Sequence, residues 1–356
     1  MSLTVRIIIF SFFAIISSSV ESKVWFISPF GDDKHSGQTP DDALRNIQHG
    51  LNKAHAGDTV LLLAGKYAQD FKTVRNGFNG NEIQIRAIGE VTVIGAGSAH
   101  IVDINHNFIH LEGFTLDGLV GSGKKSSDYR DKLIYIKGDF KKGITGIEIS
   151  HMILRNAFGE CIRMRYNAFE NEISHNQITR CGVRDFVFDR GQNNGESIYI
   201  GSSPEQLIKE KISSKLVDHS NENWIHHNQI VSYGSECVDI KEGSNLNLVE
   251  HNLCTAQLDP NVGGISVRGN MNIIKDNIIF NTQGAGIRLG GNTSKDGIYN
   301  TVQGNYLYHN KAGSIKIMRN PQKRICFNQI FQPDNFQKIR VKKGLNIDLD
   351  KLCNIE

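Results

Sequence analysis

Residues 234–252 read GSECVDIKEGSNLNLVEHN, two short alternating runs joined by a turn rich in small and amide residues. In the first run Val238 and Ile240 alternate with Cys237, Asp239 and Lys241, so an extended chain places the aliphatics on one side and the polar groups on the other. The second run opens VEHNLC (249–254), and its outline of one apolar residue, two polar ones, an asparagine and a short apolar run recurs along the chain. ISHNQI (173–178), IHHNQI (225–230), IKDNII (274–279) and VQGNYL (302–307) share it, and CFNQIF adds one more asparagine. Asn176, Asn228, Asn252, Asn277, Asn305 and Asn328 are separated by 52, 24, 25, 28 and 23 residues, the first gap being two periods. A unit of about 25 residues with short strands and glycine-rich turns is what one coil of a parallel β-helix requires. Asparagines at one turn position of such coils can stack as a hydrogen-bonded ladder.

A second repeat follows each asparagine: LIYIK (133–137), CIRMR (161–165), SIYIG (197–201), CVDIK (237–241), GISVR (264–268), GIRLG (286–290) and SIKIM (314–318). The second and fourth residues of each are expected to point inward as stacked aliphatics, the third and fifth outward. Strands of adjacent coils lie about 4.8 Å apart, so outward residues form columns. One column reads Tyr135, Arg163, Tyr199, Asp239, Ser266, Arg288, Lys316; the next reads Lys137, Arg165, Gly201, Lys241, Arg268, Gly290, Met318. The expected fold class is all-β, one parallel β-helix domain over residues 23–356. A capping helix at about 40–55, with Thr39 as N-cap and Pro40 in its first turn, closes one end. A C-terminal cap at about 330–356 closes the other.

Residues 1–22 have the layout of a secretory signal peptide: a start ending in Arg6, about ten apolar residues, then small ones. The apolar run is too short to span a bilayer, and no later segment approaches that length. Export suits the six cysteines, an even number that allows fifteen pairings, and the sequon Asn292-Thr293-Ser294, on which a glycoprotein is expected. The expected product is a secreted, extracellular monomer. Its formal charge of +3 leans only weakly toward acidic partners.

The columns lean further. Lys137, Arg163, Arg165, Lys241, Arg268, Arg288 and Lys316 project from one sheet, with Tyr135 and Tyr199 among them and Asp239 as the one carboxylate. Such a groove suits an extended polyanion, and in an exported protein an acidic polysaccharide fits better than nucleic acid. Arg163, Arg165, Tyr199, Asp239, Arg288 and Lys316 are therefore the candidate ligand-binding residues. Cleaving a polyuronide by β-elimination requires neutralisation of the carboxylate, a base for the C5 proton and a donor for the departing oxygen. Lys241 and Arg268, consecutive in one column, repel by roughly 3 kcal/mol at an effective dielectric of 20, which lowers the lysine pKa unless Asp239 and Glu236 oppose it. A glycoside hydrolase needs two carboxylates across the bond, and the columns offer one. A C5-epimerase and a non-catalytic glycan-binding or matrix protein remain alternatives.

NNGESIYIGSS (193–203), GSECVDIKEGSNLNLVEHN (234–252), GGISVRGN (263–270) and GAGIRLGG (284–291) together resemble the central coils of the alginate lyase and chondroitinase B family of polysaccharide lyases, whose fold is a right-handed parallel β-helix. The resemblance implies that Lys241 is the base, that Arg268 assists as acid, and that Asn194 and Glu236 hold Ca2+. Gly234 stands where the family carries a further calcium glutamate.

Overall fold

The computed structural model describes residues 21–97, 99–191, 194–212 and 216–353. The signal peptide expected over 1–22 lies outside the described residues, apart from its last two. The chain winds into a right-handed parallel β-helix: a 19-stranded sheet and a 10-stranded sheet run the length of the molecule, and every strand pairing described is parallel. One central coil shows the plan. Trp224–His226 and Gln229–Val231 lie in the large sheet, Val238–Ile240 lies in the small one, and Leu248–Glu250 begins the next turn.

Alternation places the inner residues. Ile198, Val238, Ile265 and Ile287 form one stack and Ile200, Ile240, Val267 and Leu289 another, all with no exposed surface. Each buried aliphatic contributes about 1.5–3 kcal/mol. The corners between the two strands of the large sheet are set by left-handed residues. His175, His227 and His251 have φ of 57°, 53° and 53°, and each precedes a ladder asparagine. Asn176 Nδ2 donates to Asn228 Oδ1, and the chain of amides continues through Asn252, Asn277, Asn305 and Asn328 at 2.9–3.1 Å. A second ladder joins Asn171, Asn223, Asn247, Asn272 and Asn300 at the opposite end of the first strand.

The N-terminal cap differs from the continuous helix expected over 40–55. Thr39 does cap a turn, but Pro40–Asp42 is a single 3-10 turn and the α-helix runs only over Ile47–Lys53. The break occurs because Leu44 is drawn into a parallel bridge with Ile27, its amide donating to the Phe26 carbonyl. Leu44, Ile47, Leu51 and Ala54 are buried on the end of the stack. At the other end Gln329–Phe331 and Ile339–Val341 are still coil strands, and Cys353 is tied back to Cys326. The other disulfides, Cys161–Cys181 and Cys237–Cys254, each link positions within one coil or its neighbour.

Candidate active site

The expected register of the first column is the observed one. Tyr135 pairs with Arg163, Arg163 with Tyr199, Tyr199 with Asp239, Asp239 with Ser266, Ser266 with Arg288 and Arg288 with Lys316. The expectation that all these side chains face solvent is corrected. Asp239 has no exposed surface, Tyr199 has 1%, Arg165 5%, Arg163 6% and Lys241 8%. Cover comes from the segment after Gly201. Ser203 caps the helix Pro204–Lys209 through a capping box with Gln206. Gln206 Oε1 accepts from the Tyr199 hydroxyl at 2.8 Å and from Arg163 Nη2 at 3.1 Å. Glu210 takes both Arg165 Nη atoms at 2.9 and 2.8 Å and the Tyr166 hydroxyl at 2.5 Å. Arg163 also pairs with Glu160. The Nη groups of the two arginines expected to bind ligand are thus already paired within the protein.

Beyond this cover lies a tighter group. Lys241 pairs with Asp239, approaches Glu196 at 4.0 Å and sits 4.5 Å from the centre of the Tyr199 ring. Arg268 Nε is 3.7 Å from Asp239 and its Nη1 is 3.9 Å from Glu242. The column places Lys241 and Arg268 side by side, as expected, but their mutual repulsion does not prevail. Burial pushes the lysine pKa down; Asp239 and the Tyr199 side chain outweigh it, and the net shift is upward. Arg268 is likewise held above its ordinary value: burial pushes it down, and Asp239, Glu236 and Glu242 together outweigh burial. Arg288 and Lys316 shift down, burial first and a neighbouring arginine second.

Glu196, Glu236 and Asp239 bring one carboxylate oxygen each within 4.8 Å of one another, all buried. Burial, then Asp239 and Glu196, push the Glu236 pKa up to about 8. Glu236 Oε1 and Asp239 Oδ1 have no hydrogen-bond donor, and Asp239 Oδ2 is met only by the Lys241 ammonium. Converging buried oxygens with unused lone pairs are the donor set a hard cation such as Ca2+ takes, so the residues present fit a calcium ion. The set differs from the pair read off the resemblance. Glu236 belongs to it, whereas Asn194 is exposed, its backbone amide donating to Asp185 Oδ2 at 2.6 Å. A Cβ at Gly234 would lie 2.0 Å from the Cys181 carbonyl oxygen, so packing excludes a glutamate there and Asp239 supplies the third oxygen instead.

Sequence reasoning missed Gln206 and Glu210, which belong to no repeat; the one signal was the Ser-Pro-x-x capping pattern at 203–206. It also left Glu242 without a role. This buried carboxylate accepts from the Asn292 amide at 3.1 Å and lies against Arg268.

No protein-family model and no curated protein sequence matches the chain. Among solved structures it is similar to an alginate lyase from Paenibacillus sp. str. FPU-7, with 18% identity, a TM-score of 0.62, and coverage of 83% of this chain and 96% of that one. It is similar to pectate lyase Pel9A at 10% identity and a TM-score of 0.62, covering 88% and 78%. It is also similar to a DFA-IIIase from Arthrobacter chlorophenolicus A6, solved in complex with DFA-III, at 11% identity and a TM-score of 0.53, covering 88% and 85%. At these identities the likeness establishes the shared β-helix fold alone.

Proposed function

We propose that the chain is a secreted polysaccharide lyase that cleaves an acidic, uronate-containing glycan by β-elimination. The observation that carries this reading is the convergence of Lys241, Arg268 and three buried carboxylates at one place on the small sheet. Solved neighbours of the same fold named as an alginate lyase and a pectate lyase support it, as do three disulfides suited to an exported chain. No helix among the described residues is long and apolar enough to cross a membrane.

In this reading the Lys241 amine takes the C5 proton. The C4–O bond breaks as the C4=C5 double bond forms, and Arg268 assists the departing oxygen by charge and hydrogen bonding. Lys241 holds its own proton tightly while Asp239 faces it. A calcium ion held by Glu196, Glu236 and Asp239 would supply neutralisation, taking up the charge of Asp239 and of the uronate. Arg288 and Lys316, half-exposed on the next coils, are placed to meet further carboxylates of the chain.

One observation favours a second reading. Lys241 is buried and ion-paired in the structure as it stands, which suits a non-catalytic glycan-binding protein. Incubation with alginate, dermatan, pectate and glucuronan separates the two. New double bonds establish the lyase. Unchanged chains with measurable binding establish the binding protein, and altered uronate stereochemistry without cleavage establishes an epimerase.

A further inference from the structure

The outward columns are not uniformly open. Lys137 is exposed, the coil bearing Arg163 and Arg165 is covered, Tyr199 is covered, and Arg268, Arg288 and Lys316 regain partial exposure. Lys316 then pairs with Arg340, which is exposed on the last coil strand. A cationic track therefore runs from Arg268 toward the C-terminal end at one basic residue per coil. It stops abruptly on the other side of Lys241.

What stops it is fixed in place. The helix Pro204–Lys209 is held by the Ser203 capping box, by buried Leu207, by Gln206 on Arg163 and Tyr199, and by Glu210 on Arg165. Glu205 adds a contact at the far rim, accepting from Asn292 Nδ2 at 2.6 Å. The Glu210 carboxylate sits on Arg165 in the bidentate manner in which a uronate carboxylate would. A sugar chain laid along the track cannot continue over the Arg163–Arg165 coil, because the groups that would bind it are occupied.

We infer that the helix Pro204–Lys209 with Glu210 is a wall closing one end of the groove, so that the protein engages the ends of acidic glycan chains rather than their interiors. Lys241 lies one coil past the covered Tyr199, a gap of roughly 5 Å, which leaves room for about one sugar unit beyond the bond that is cut. The action pattern, release of short unsaturated products from chain ends, rests on the lyase reading; the wall itself does not.

Two measurements on the full chain test this. In the first, product length and solution viscosity are followed with time on whichever polyuronate yields new double bonds. Products of about one unit from the earliest times, with viscosity falling slowly per bond cut, are expected. A broad ladder of intermediate lengths with early viscosity collapse would overturn the wall. In the second, Lys241→Arg is titrated with oligouronates of increasing length. Affinity is expected to level off at about four units, one for each of the basic coils carrying Arg268, Arg288, Lys316 and Arg340. The double variant Gln206→Ala/Glu210→Ala, which frees Arg165 and leaves Arg163 paired with Glu160, is expected to bind longer oligomers roughly tenfold more tightly, the value of one charged hydrogen bond. Affinity that keeps rising with length in the parent and is unchanged in the double variant would also overturn the wall. A plateau without cleavage of any polymer would instead overturn the lyase reading and leave the wall standing.

Discussion

Two columns of buried polar side chains run along this β-helix, and they behave oppositely. On the large sheet the asparagine ladders satisfy themselves, each amide donating to the next and accepting from the last at 2.9–3.3 Å. On the small sheet Glu196, Glu236 and Asp239 come together with acceptors only; Glu236 Oε1 and Asp239 Oδ1 have no donor, and the Lys241 ammonium alone meets Asp239 Oδ2. An amide offers both halves of a hydrogen bond, so stacking it about every 4.8 Å is stabilising; a carboxylate offers one half, so stacking it is repulsive without a proton or a cation. Regular stacking of satisfied groups therefore marks scaffold, and stacking of unsatisfied ones marks chemistry.

The sharpest way to break this comparison is Lys241→Arg. Arginine keeps the ion pair with Asp239 but stays protonated at any working pH. Cleavage is expected to fall by at least about 10²–10⁴-fold with the melting temperature nearly unchanged. Lys241→Ala should lose cleavage equally but also melt earlier, since it strands the buried Asp239. Retained bond cleavage in either variant, read by the absorbance of the new double bond, refutes the base assignment.

Next in size is the ladder. Asn252→Ala removes the Oδ1 that accepts from the Asn228 backbone amide and Nδ2, and the Nδ2 that donates to Asn277 Oδ1 and to the Ile225 and Glu250 carbonyls. Urea unfolding should show a loss of about 2–4 kcal/mol, and glycan binding should not change. A comparable loss of affinity would mean that the ladder is more than scaffold.

Calcium probes the unsatisfied column directly. Added at about a hundred times its dissociation constant, it should raise stability by about 2.7 kcal/mol, and a chelator should remove both the gain and the cleavage. Glu236→Gln should abolish the calcium response. A melting temperature indifferent to both reagents would remove the ion from the site.

A smaller effect is expected at the edge of the covered region. Burial raises the Glu160 pKa, but Arg163 and Lys132 outweigh it and hold the carboxyl well below the ordinary range. A depressed folded value means that the stabilisation is complete above the ordinary glutamate value of about 4.3 and is lost as pH falls through the depressed one. Glu160→Gln should thus cost about 1.5–3 kcal/mol at neutral pH and progressively less in acid. An equal cost at both pH values would exclude the ion pair as its source.

The smallest effect separates open from covered arginines. Arg288→Ala should weaken acidic-glycan binding by about 0.5–1 kcal/mol and flatten its salt dependence. Arg165→Ala should leave affinity untouched and lower stability instead. The reverse pattern would mean that Glu210 leaves Arg165 when ligand arrives.

Much of this was legible. The pairing of Tyr199 with Asp239 and of Arg288 with Lys316 follows from alternation alone. The second ladder was also present in NEISHN, NWIHHN, NLVEHN, NIIKDN and NTVQGN, with an asparagine five residues before five of the six recognised ones. It escaped notice because the repeat was anchored on its more conspicuous half. The place of Asp239 in the carboxylate cluster was not legible. The strand pattern marks it as outward-facing, and nothing in that pattern says that Glu196 and Glu236, each two residues ahead of its strand, turn back toward it.

What the sequence determined by itself was everything that repeats: the coil, its register, the inward stacks and the order of residues in each column. Alternation with period two and a unit of about 25 residues are local properties, and a coil can bury its apolar face only against a neighbour with the same pattern. What only the tertiary structure decided was which outward positions meet solvent. That depends on a non-repeating segment whose Gln206 and Glu210 return to Tyr199, Arg163 and Arg165. Such contacts rest on side-chain geometry between distant positions, which no periodicity encodes.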